Sequence, residues 1–341
     1  MELMRQPLTR ALLALTLLPL TACATTESDD LPPCPTIEAS PAAVPGLAGR
    51  IAYTTLGGGG GHCSAIVVMN ADGSDRRRIT QPELYPSSPQ WSPDGGQFLF
   101  TGACPNPQQM EVCVMDVGGK GLRPVTSHPE TSLDAVWSPD GRRIAFNRRE
   151  PKLGPGDIYI IGVDGTGETR LTTEPGHERS PSWSPDGQSI AYSASEGTEQ
   201  LKVVRVGSGA PTILARGGTV NQTPAFSHDG RRIAFSSNRS GKEDSVYGRE
   251  GRAAPGGVLL PPSSGAHDIY VVGVDGQGLT RLTSDTSANY SPVWSPDDRH
   301  LLFTSDRDGR QELYVMAADG SRQTRLTNHP EDGAGDASWT G

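Results

Sequence analysis

The chain has 341 residues, with 30 lysines and arginines against 39 aspartates and glutamates, which gives a net charge of −9. This negative balance argues against a nucleic-acid-binding surface, which would show a basic face. Glycine and proline are abundant, at 42 and 29 residues. They recur at regular turn positions, however, which favours a folded chain over a disordered one.

Residues 1–22 are typical of a bacterial export signal. Two arginines, Arg5 and Arg10, flank its start, and the apolar stretch 11–20 is too short to span a bilayer stably. The following sequence L-T-A-C resembles a lipobox, in which the cysteine becomes the lipidated first residue of the mature protein. Cys23 is therefore the predicted lipidation site and membrane anchor. The alternative is a plain cleaved secretory signal with an incidental cysteine.

Residues 23–48 are rich in proline, serine and acidic residues and have no periodicity. This composition predicts a tether that holds the following domain, residues 49–341, away from the membrane.

A repeat centred on W-S-P-D-G organises the remainder of the chain. Its aromatic residue stands at six positions, which are Trp91, Trp137, Trp183, Phe226, Trp294 and Trp339. The spacings are 46, 46, 43, 68 and 45 residues. A fixed period in this range marks a solenoid, a propeller or an array.

Each unit contains four short runs rich in β-branched and aromatic residues, bounded by glycine, proline and aspartate, which predicts four strands. In the third unit the middle runs read R-I-A-F and D-I-Y-I-I. Their nearly continuous apolar character indicates sheets covered on both faces. Four strands per unit, stacked radially, form the blade of a β-propeller. A solenoid is the alternative.

The two ends of the repeat region complete one blade. The first unit begins at Gly49 without its first strand, and the chain ends with an isolated first strand, residues 336–339. A linear array would leave an unpaired edge at each end, whereas a ring leaves none. The sequence therefore predicts an all-β, six-bladed propeller closed by the C-terminal strand. Its units end at Thr80, Thr126, Thr172, Ala215, Thr283 and Thr327.

The repeat x-x-P-x-W-S-P-D-G-x-x-I-A-F, followed by I-Y-V, D-G and R-L-T, resembles that of the TolB-type six-bladed propeller over about residues 50–341. The resemblance implies the fold more strongly than the function, because one fold hosts many activities. TolB carries an additional N-terminal α/β domain. In this chain we expect the lipid anchor in its place.

Apart from Cys23, the chain has four cysteines: Cys34, Cys63, Cys104 and Cys113. An even number in an exported protein suggests disulfides, although four cysteines allow three pairings. Cys104 and Cys113 flank one loop of the second blade, so we pair them with each other and Cys34 with Cys63. Metal binding is the alternative, but no C-x-x-C spacing supports it.

Searches for catalytic motifs fail: G-x-S-x-G, H-E-x-x-H and the P-loop lysine motif are absent from the sequence. We therefore expect no enzymatic activity, no cofactor and no metal. His128, His177 and His329 recur just before first strands and are interpreted as polar residues that stabilise turns. The alternative is a ring of metal ligands at the channel mouth. That ring would suit a glycan-active enzyme, since some polysaccharide lyases use similar propellers with a histidine-rich metal site.

Strand alternation places the short S-P-D-G and D-G turns on one face and the loops of variable length on the other. Function concentrates in variable loops on a rigid scaffold. The longest of these loops, residues 241–265, mixes charged and apolar residues. Its candidate binding residues are Lys242, Asp244, Tyr247, Arg249, Val258, Leu259 and Leu260. The leading hypothesis is a monomeric, non-enzymatic propeller of the bacterial envelope (periplasm or cell surface). It would bind an envelope protein or a glycan through this variable-loop face.

Overall fold

A computed structural model describes residues 43–57, 63–104, 109–149, 156–196, 198–207, 209–217, 221–239, 267–329 and 333–341. The predicted signal peptide, and the predicted tether up to residue 42, lie outside these ranges. None of the described helical residues forms a segment with the length and hydropathy needed to cross a membrane.

The described residues form six four-stranded antiparallel sheets, and each sheet is one blade. Blade 1 contains β1 (Arg50–Thr55), β2 (Ala65–Asn70), β3 (Arg77–Arg78) and β24 (Ala334–Thr340). Blade 2 contains β4 (Ser87–Trp91), β5 (Gln97–Gly102), β6 (Glu111–Asp116) and β7 (Arg123–Pro124). Blade 3 contains β8 (Thr131–Trp137), β9 (Arg143–Arg149), β10 (Gly156–Gly162) and β11 (Thr169–Arg170).

Blade 4 contains β12 (His177–Trp183), β13 (Ser189–Ser195), β14 (Glu199–Arg205) and β15 (Thr212–Ala215). Blade 5 contains β16 (Asn221–Phe226), β17 (Arg232–Ser237), β18 (Asp268–Gly273) and β19 (Thr280–Arg281). Blade 6 contains β20 (Asn289–Trp294), β21 (His300–Ser305), β22 (Glu312–Ala317) and β23 (Thr324–Arg325). A 3₁₀ turn, Pro82–Leu84, precedes β4.

The inner strands of neighbouring blades contact one another all the way round, in the order β24, β4, β8, β12, β16, β20 and back to β24. The predicted six-bladed ring is therefore confirmed, and the solenoid is excluded. Closure occurs where predicted, because β24 pairs antiparallel with β1 and places Trp339 opposite Ile51. The indole Nε1 of Trp339 also donates to the carbonyl of Ala48 at 2.9 Å.

The hydrophobic core is divided into six clusters, each between two adjacent blades. This explains the nearly continuous apolar strands, since both faces of every sheet pack on a neighbour. An aromatic residue at the same position of each second strand is fully buried; these residues are Tyr53, Phe100, Phe146, Tyr192, Phe235 and Phe303. Val44 and Leu47, within the predicted tether, pack against the cluster between blades 6 and 1.

The S-P-D-G turns share one hydrogen-bond pattern. In five turns the serine Oγ donates to the aspartate Oδ1 two residues later, at 2.5–2.6 Å. In blade 3, this bond from Ser138 holds the pKa of Asp140 below its usual value. Gly141 ends the turn with φ +68°, a region where glycine carries no Cβ penalty.

Two residues that depart from the W-S-P-D-G repeat contact each other across the boundary of blades 5 and 6. Asp298 occupies the glycine position with φ +58°. Its carboxylate accepts hydrogen bonds from the backbone N–H groups of His228 and Asp229, both at 2.8 Å. His228 stands where the other turns have proline, and its Nδ1 lies 3.1 Å from the same carboxylate. At this boundary a polar contact therefore takes the place of the contact between a turn glycine and the turn proline of the preceding blade.

The predicted disulfide between Cys104 and Cys113 is present, with a Cα–Cα distance of 6.3 Å, and it closes the loop between β5 and β6. Cys63 is also disulfide-bonded. Its predicted partner, Cys34, lies outside the described residues, so that pairing stays a prediction.

Candidate functional site

Six polar residues form a ring on the inner strands, each three positions before the repeat aromatic. They are Ser88, Asp134, Ser180, Thr223, Ser291 and Asp336, and all have φ between 45° and 53°. Left-handed backbone is uncommon for residues other than glycine. Here it accompanies a register shift in the pairing of each inner strand with its neighbour. The repeat thus imposes one bulge per blade at the same level of the central channel.

Three hydrogen-bonded contacts link neighbouring members of this ring. The backbone N–H of Ser180 donates to Asp134 Oδ2 at 3.2 Å. The hydroxyl of Ser88 donates to Asp336 Oδ2 at 3.4 Å, and the N–H of Ser291 donates to Thr223 Oγ1 at 3.3 Å. These bonds join blades 3 and 4, blades 1 and 2, and blades 5 and 6.

The same three blade junctions carry a cation–π contact at the repeat tryptophan. The guanidinium groups lie 4.4–4.9 Å from the ring centroids in the pairs Arg50–Trp91, Arg143–Trp183 and Arg232–Trp294. Such a contact contributes on the order of 0.5–1 kcal/mol at a partly exposed site. Both kinds of contact, the hydrogen bond between ring members and the cation–π pair, therefore occur at the same three junctions.

The two carboxylates of the channel ring interact electrostatically. Asp134 belongs to blade 3 and Asp336 to blade 1, with blade 2 between them. Burial and the negative charge of Asp134 raise the pKa of Asp336 to about 6, although the bond from Ser88 opposes the shift. Burial and the charges of Asp336 and Asp306 also raise the pKa of nearby Tyr290. The channel ring therefore brings like charges near each other at side chains of intermediate exposure.

Five blades carry a second set of buried carboxylates, near the start of the third strand on the variable-loop face. They are Glu111, Asp157, Glu199, Asp268 and Glu312. Arg325 and Thr327 both donate to Glu312, and Arg281 pairs with Asp268 at 2.7 Å. In these two blades the partners lie on or just after the fourth strand of the same blade, so the buried carboxylates fasten the fourth strand to the third.

Two of the three histidines singled out by the sequence, His128 and His329, take part in blade-to-blade links. His329 is buried, with Nδ1 3.0 Å from Glu312 of its own blade and Nε2 3.2 Å from the hydroxyl of Tyr53 in blade 1. Nε2 of His128 lies 2.6 Å from Glu168. His177 is exposed; partial burial and two nearby arginines, Arg149 and Arg179, lower its pKa.

Within the described ranges, the grouping of side chains that could hold a metal ion consists of Glu174, Glu178 and Glu196. It contains no histidine, so the structure does not bring His128, His177 and His329 together into the ring of metal ligands that was the alternative interpretation. Burial and the charges of Asp157 and Glu174 raise the pKa of Glu178 to about 7.

A family model described as the TolB beta propeller domain matches residues 46–250 and 258–340. The chain belongs to this family. A "Tol-Pal system protein TolB" from Anaeromyxobacter dehalogenans is 32% identical over 118 residues, which cover 29% of this chain and 27% of that protein. A "Protein TolB homolog" from Chlorobium luteolum is 30% identical over 119 residues, 30% of this chain and 27% of that protein. The matched region thus spans about a quarter of the length of these relatives.

Solved structures show the same TolB-type fold. TolB from Acinetobacter baumannii superimposes with a TM-score of 0.68 at 19% identity, covering 85% of this chain and 66% of that one. A putative TolB from Agrobacterium tumefaciens gives a TM-score of 0.62 at 22% identity, covering 84% and 91%. At these identities the likeness establishes the fold alone.

In this TolB-type propeller, the predicted binding loop 241–265 and its seven candidate residues lie outside the described residues. Its flanks are the end of β17 and the start of β18, which pair through Ser237 and Asp268. Sequence reasoning missed the channel ring, although the signal was available. The residue three positions before each repeat aromatic is serine, threonine or aspartate in all six units.

Proposed function

We propose that this protein is a non-enzymatic, lipid-anchored binding propeller of the bacterial cell envelope, which captures a protein partner at the channel mouth and the variable-loop face. Membership of the TolB propeller family supports an envelope protein-binding role of the Tol-Pal type. The proposal adds the anchor at Cys23, the export signal 1–22, the tether 23–48 and the location of the binding surface.

The observation that carries this proposal is the carboxylate pair Asp134 and Asp336 in the channel ring. Like charges near each other oppose folding, as the raised pKa of Asp336 indicates. Such unfavourable groups cluster at functional sites, where a ligand offsets their cost. A carboxylate pair in the channel suits lysine or arginine side chains of a partner protein.

A pull-down from envelope extract with soluble residues 24–341 tests this proposal. We expect the double variant Asp134→Asn/Asp336→Asn to retain its fold and to capture at least about tenfold less partner, which is about 1.4 kcal/mol. The matched control is Asp319→Asn, an exposed turn aspartate on the opposite face. Equal capture by the double variant would place the binding surface away from the channel. Capture of a glycan in place of a protein would contradict the stated partner class.

Replacing residues 241–265 with a Gly-Asn turn tests the other part of the surface in the same assay. The strand pair β17–β18 is complete without this segment, so we expect nearly unchanged thermal stability together with weaker partner capture. If the replacement unfolds the protein, the segment contributes to packing. If capture is unaffected, the channel mouth alone forms the site.

The lipid anchor is tested by Cys23→Ser, with Cys34→Ser as the cysteine control. The Cys23→Ser variant cannot form the thioether to lipid, so we expect it to move from the membrane to the soluble fraction and to lose palmitate labelling. Stable membrane anchoring needs more than one acyl chain, and a lipoprotein anchor carries several. Because the Cys23→Ser variant loses all of them, we expect the redistribution to be nearly complete. Unchanged partitioning of the Cys23→Ser variant would contradict lipidation at this residue.

A further inference from the structure

Three glutamates of blade 4 converge outside the channel ring. Glu174 lies in the link between β11 and β12, Glu178 in β12, and Glu196 directly after β13. One oxygen atom from each lies within 4.8 Å of the other two. Calcium binds oxygen ligands at about 2.3–2.6 Å, so ligands on opposite sides of one ion are separated by up to about 5 Å. The spacing of the three glutamates therefore fits a single calcium ion.

The side chain of Glu178 provides an independent observation. It is 0% exposed, its Oε1 atom receives no hydrogen bond from a donor group, and the side chain lies within hydrogen-bonding reach of the Asp157 carboxylate. Its Oε2 atom accepts a long hydrogen bond, at 3.4 Å, from the hydroxyl of Thr172. A buried carboxylate oxygen without a donor is unfavourable, and buried charges in proteins are normally paired or coordinate metals.

The nearby lysine satisfies two of the three glutamates. The Nζ atom of the buried Lys202 lies 2.9 Å from Glu174 and 3.1 Å from Glu196. The adjacent carboxylate of Asp157 pairs with Arg170 at 2.7 Å. With all groups in their charged forms, four carboxylates face two cationic side chains, which leaves two negative charges. One divalent cation would balance them.

An ion could reach this position from solvent. The side chains of Glu174 and Glu196 are 31% and 34% exposed, whereas those of Glu178 and Lys202 are buried. We propose that Glu174, Glu178 and Glu196 form a calcium-binding site on the variable-loop face of blade 4. Bound calcium would join the blade 3–4 link, β12 and the loop after β13, and so rigidify this part of the face.

Terbium luminescence tests the site directly, because Tb³⁺ replaces Ca²⁺ and is excited through nearby aromatic rings. The hydroxyl of Tyr192 lies 3.2 Å from Glu174 Oε2, so this tyrosine is placed to sensitise the ion. We expect saturable emission with one ion per chain, displaced by Ca²⁺ with an affinity on the order of 10⁻⁴–10⁻³ M. Tyr192→Phe should lower the emission per bound ion, because the phenol ring next to the site is lost.

The Glu178→Gln variant should lose calcium binding at least about tenfold, whereas Glu130→Gln, which removes a carboxylate elsewhere on the same face, should bind normally. Lys202→Met should bind more tightly than wild type, because the competing ammonium is gone. This second variant keeps the proposal testable if Glu178→Gln fails to fold. Absence of saturable binding in wild type, or equal binding by Glu178→Gln, would overturn the proposal and leave Lys202 as the resident cation.

Discussion

A stop codon in place of Asp336 is expected to destabilise the whole propeller, although it removes six of 341 residues. The lost segment contains most of β24, which supplies the innermost strand of blade 1 and contacts β4 and β20 on either side. It also contains Trp339, which is 7% exposed and packs with Ile51 and Tyr53. Loss of one large buried aromatic residue costs about 3–5 kcal/mol.

The free energy of unfolding of a domain is only about 5–15 kcal/mol. Loss of Trp339 therefore removes a large part of it, and loss of the β1–β24 pairing lowers it further. We expect the melting temperature to fall by about 10 °C or more, measured by differential scanning calorimetry. The control is a stop codon in place of Gly341, which leaves Trp339 and the β1–β24 pairing intact. Wild-type melting of the longer truncation would contradict closure of the ring by the C-terminal strand.

The Asp336→Asn substitution is expected to stabilise the protein at neutral pH. Burial and Asp134 raise the pKa of the folded carboxyl to about 6, above the value of about 3.9 in an unfolded chain. The group therefore favours folding below about pH 4, and this contribution is lost as pH rises to about 6. Asparagine cannot ionise, tolerates the left-handed backbone at φ 45°, and can still accept the hydrogen bond from Ser88.

Chemical denaturation at two pH values measures this effect. At pH 7.5 the free energy of unfolding should increase by up to about 3 kcal/mol, the equivalent of a two-unit pKa shift. At pH 4 the variant and the wild type should differ little. Asp319→Asn is the control, and it should lower the free energy of unfolding at pH 7.5. Hydrogen bonds from Ser321 lower the pKa of Asp319, so its carboxylate favours folding. Equal stability of Asp336→Asn and wild type at pH 7.5 would show that the channel carboxylates are well solvated.

If both results are obtained, they separate two roles of β24. Trp339 and the pairing with β1 close the ring, whereas Asp336 on the same strand opposes folding at neutral pH. A residue that lowers stability inside the element that completes the fold is difficult to explain by packing. Its presence there fits a function in the channel, because active and binding sites are where proteins tolerate such costs.

The amino-acid sequence by itself determined the blades. The W-S-P-D-G period, the turn residues and the missing first strand of the first unit are local signals, and they specified six blades, the closing strand and the Cys104–Cys113 bond. These features could be predicted because turn chemistry and strand alternation act over a few residues.

Only the tertiary structure decided which side chains meet. Asp134 and Asp336 lie far apart in the chain and interact because ring closure brings equivalent inner-strand positions to one level of the channel. The contact of His329 with Tyr53 and that of His228 with Asp298 arise across blade boundaries in the same way. A repeat pattern places each residue within its own blade, but the contacts between blades depend on the curvature and closure of the ring.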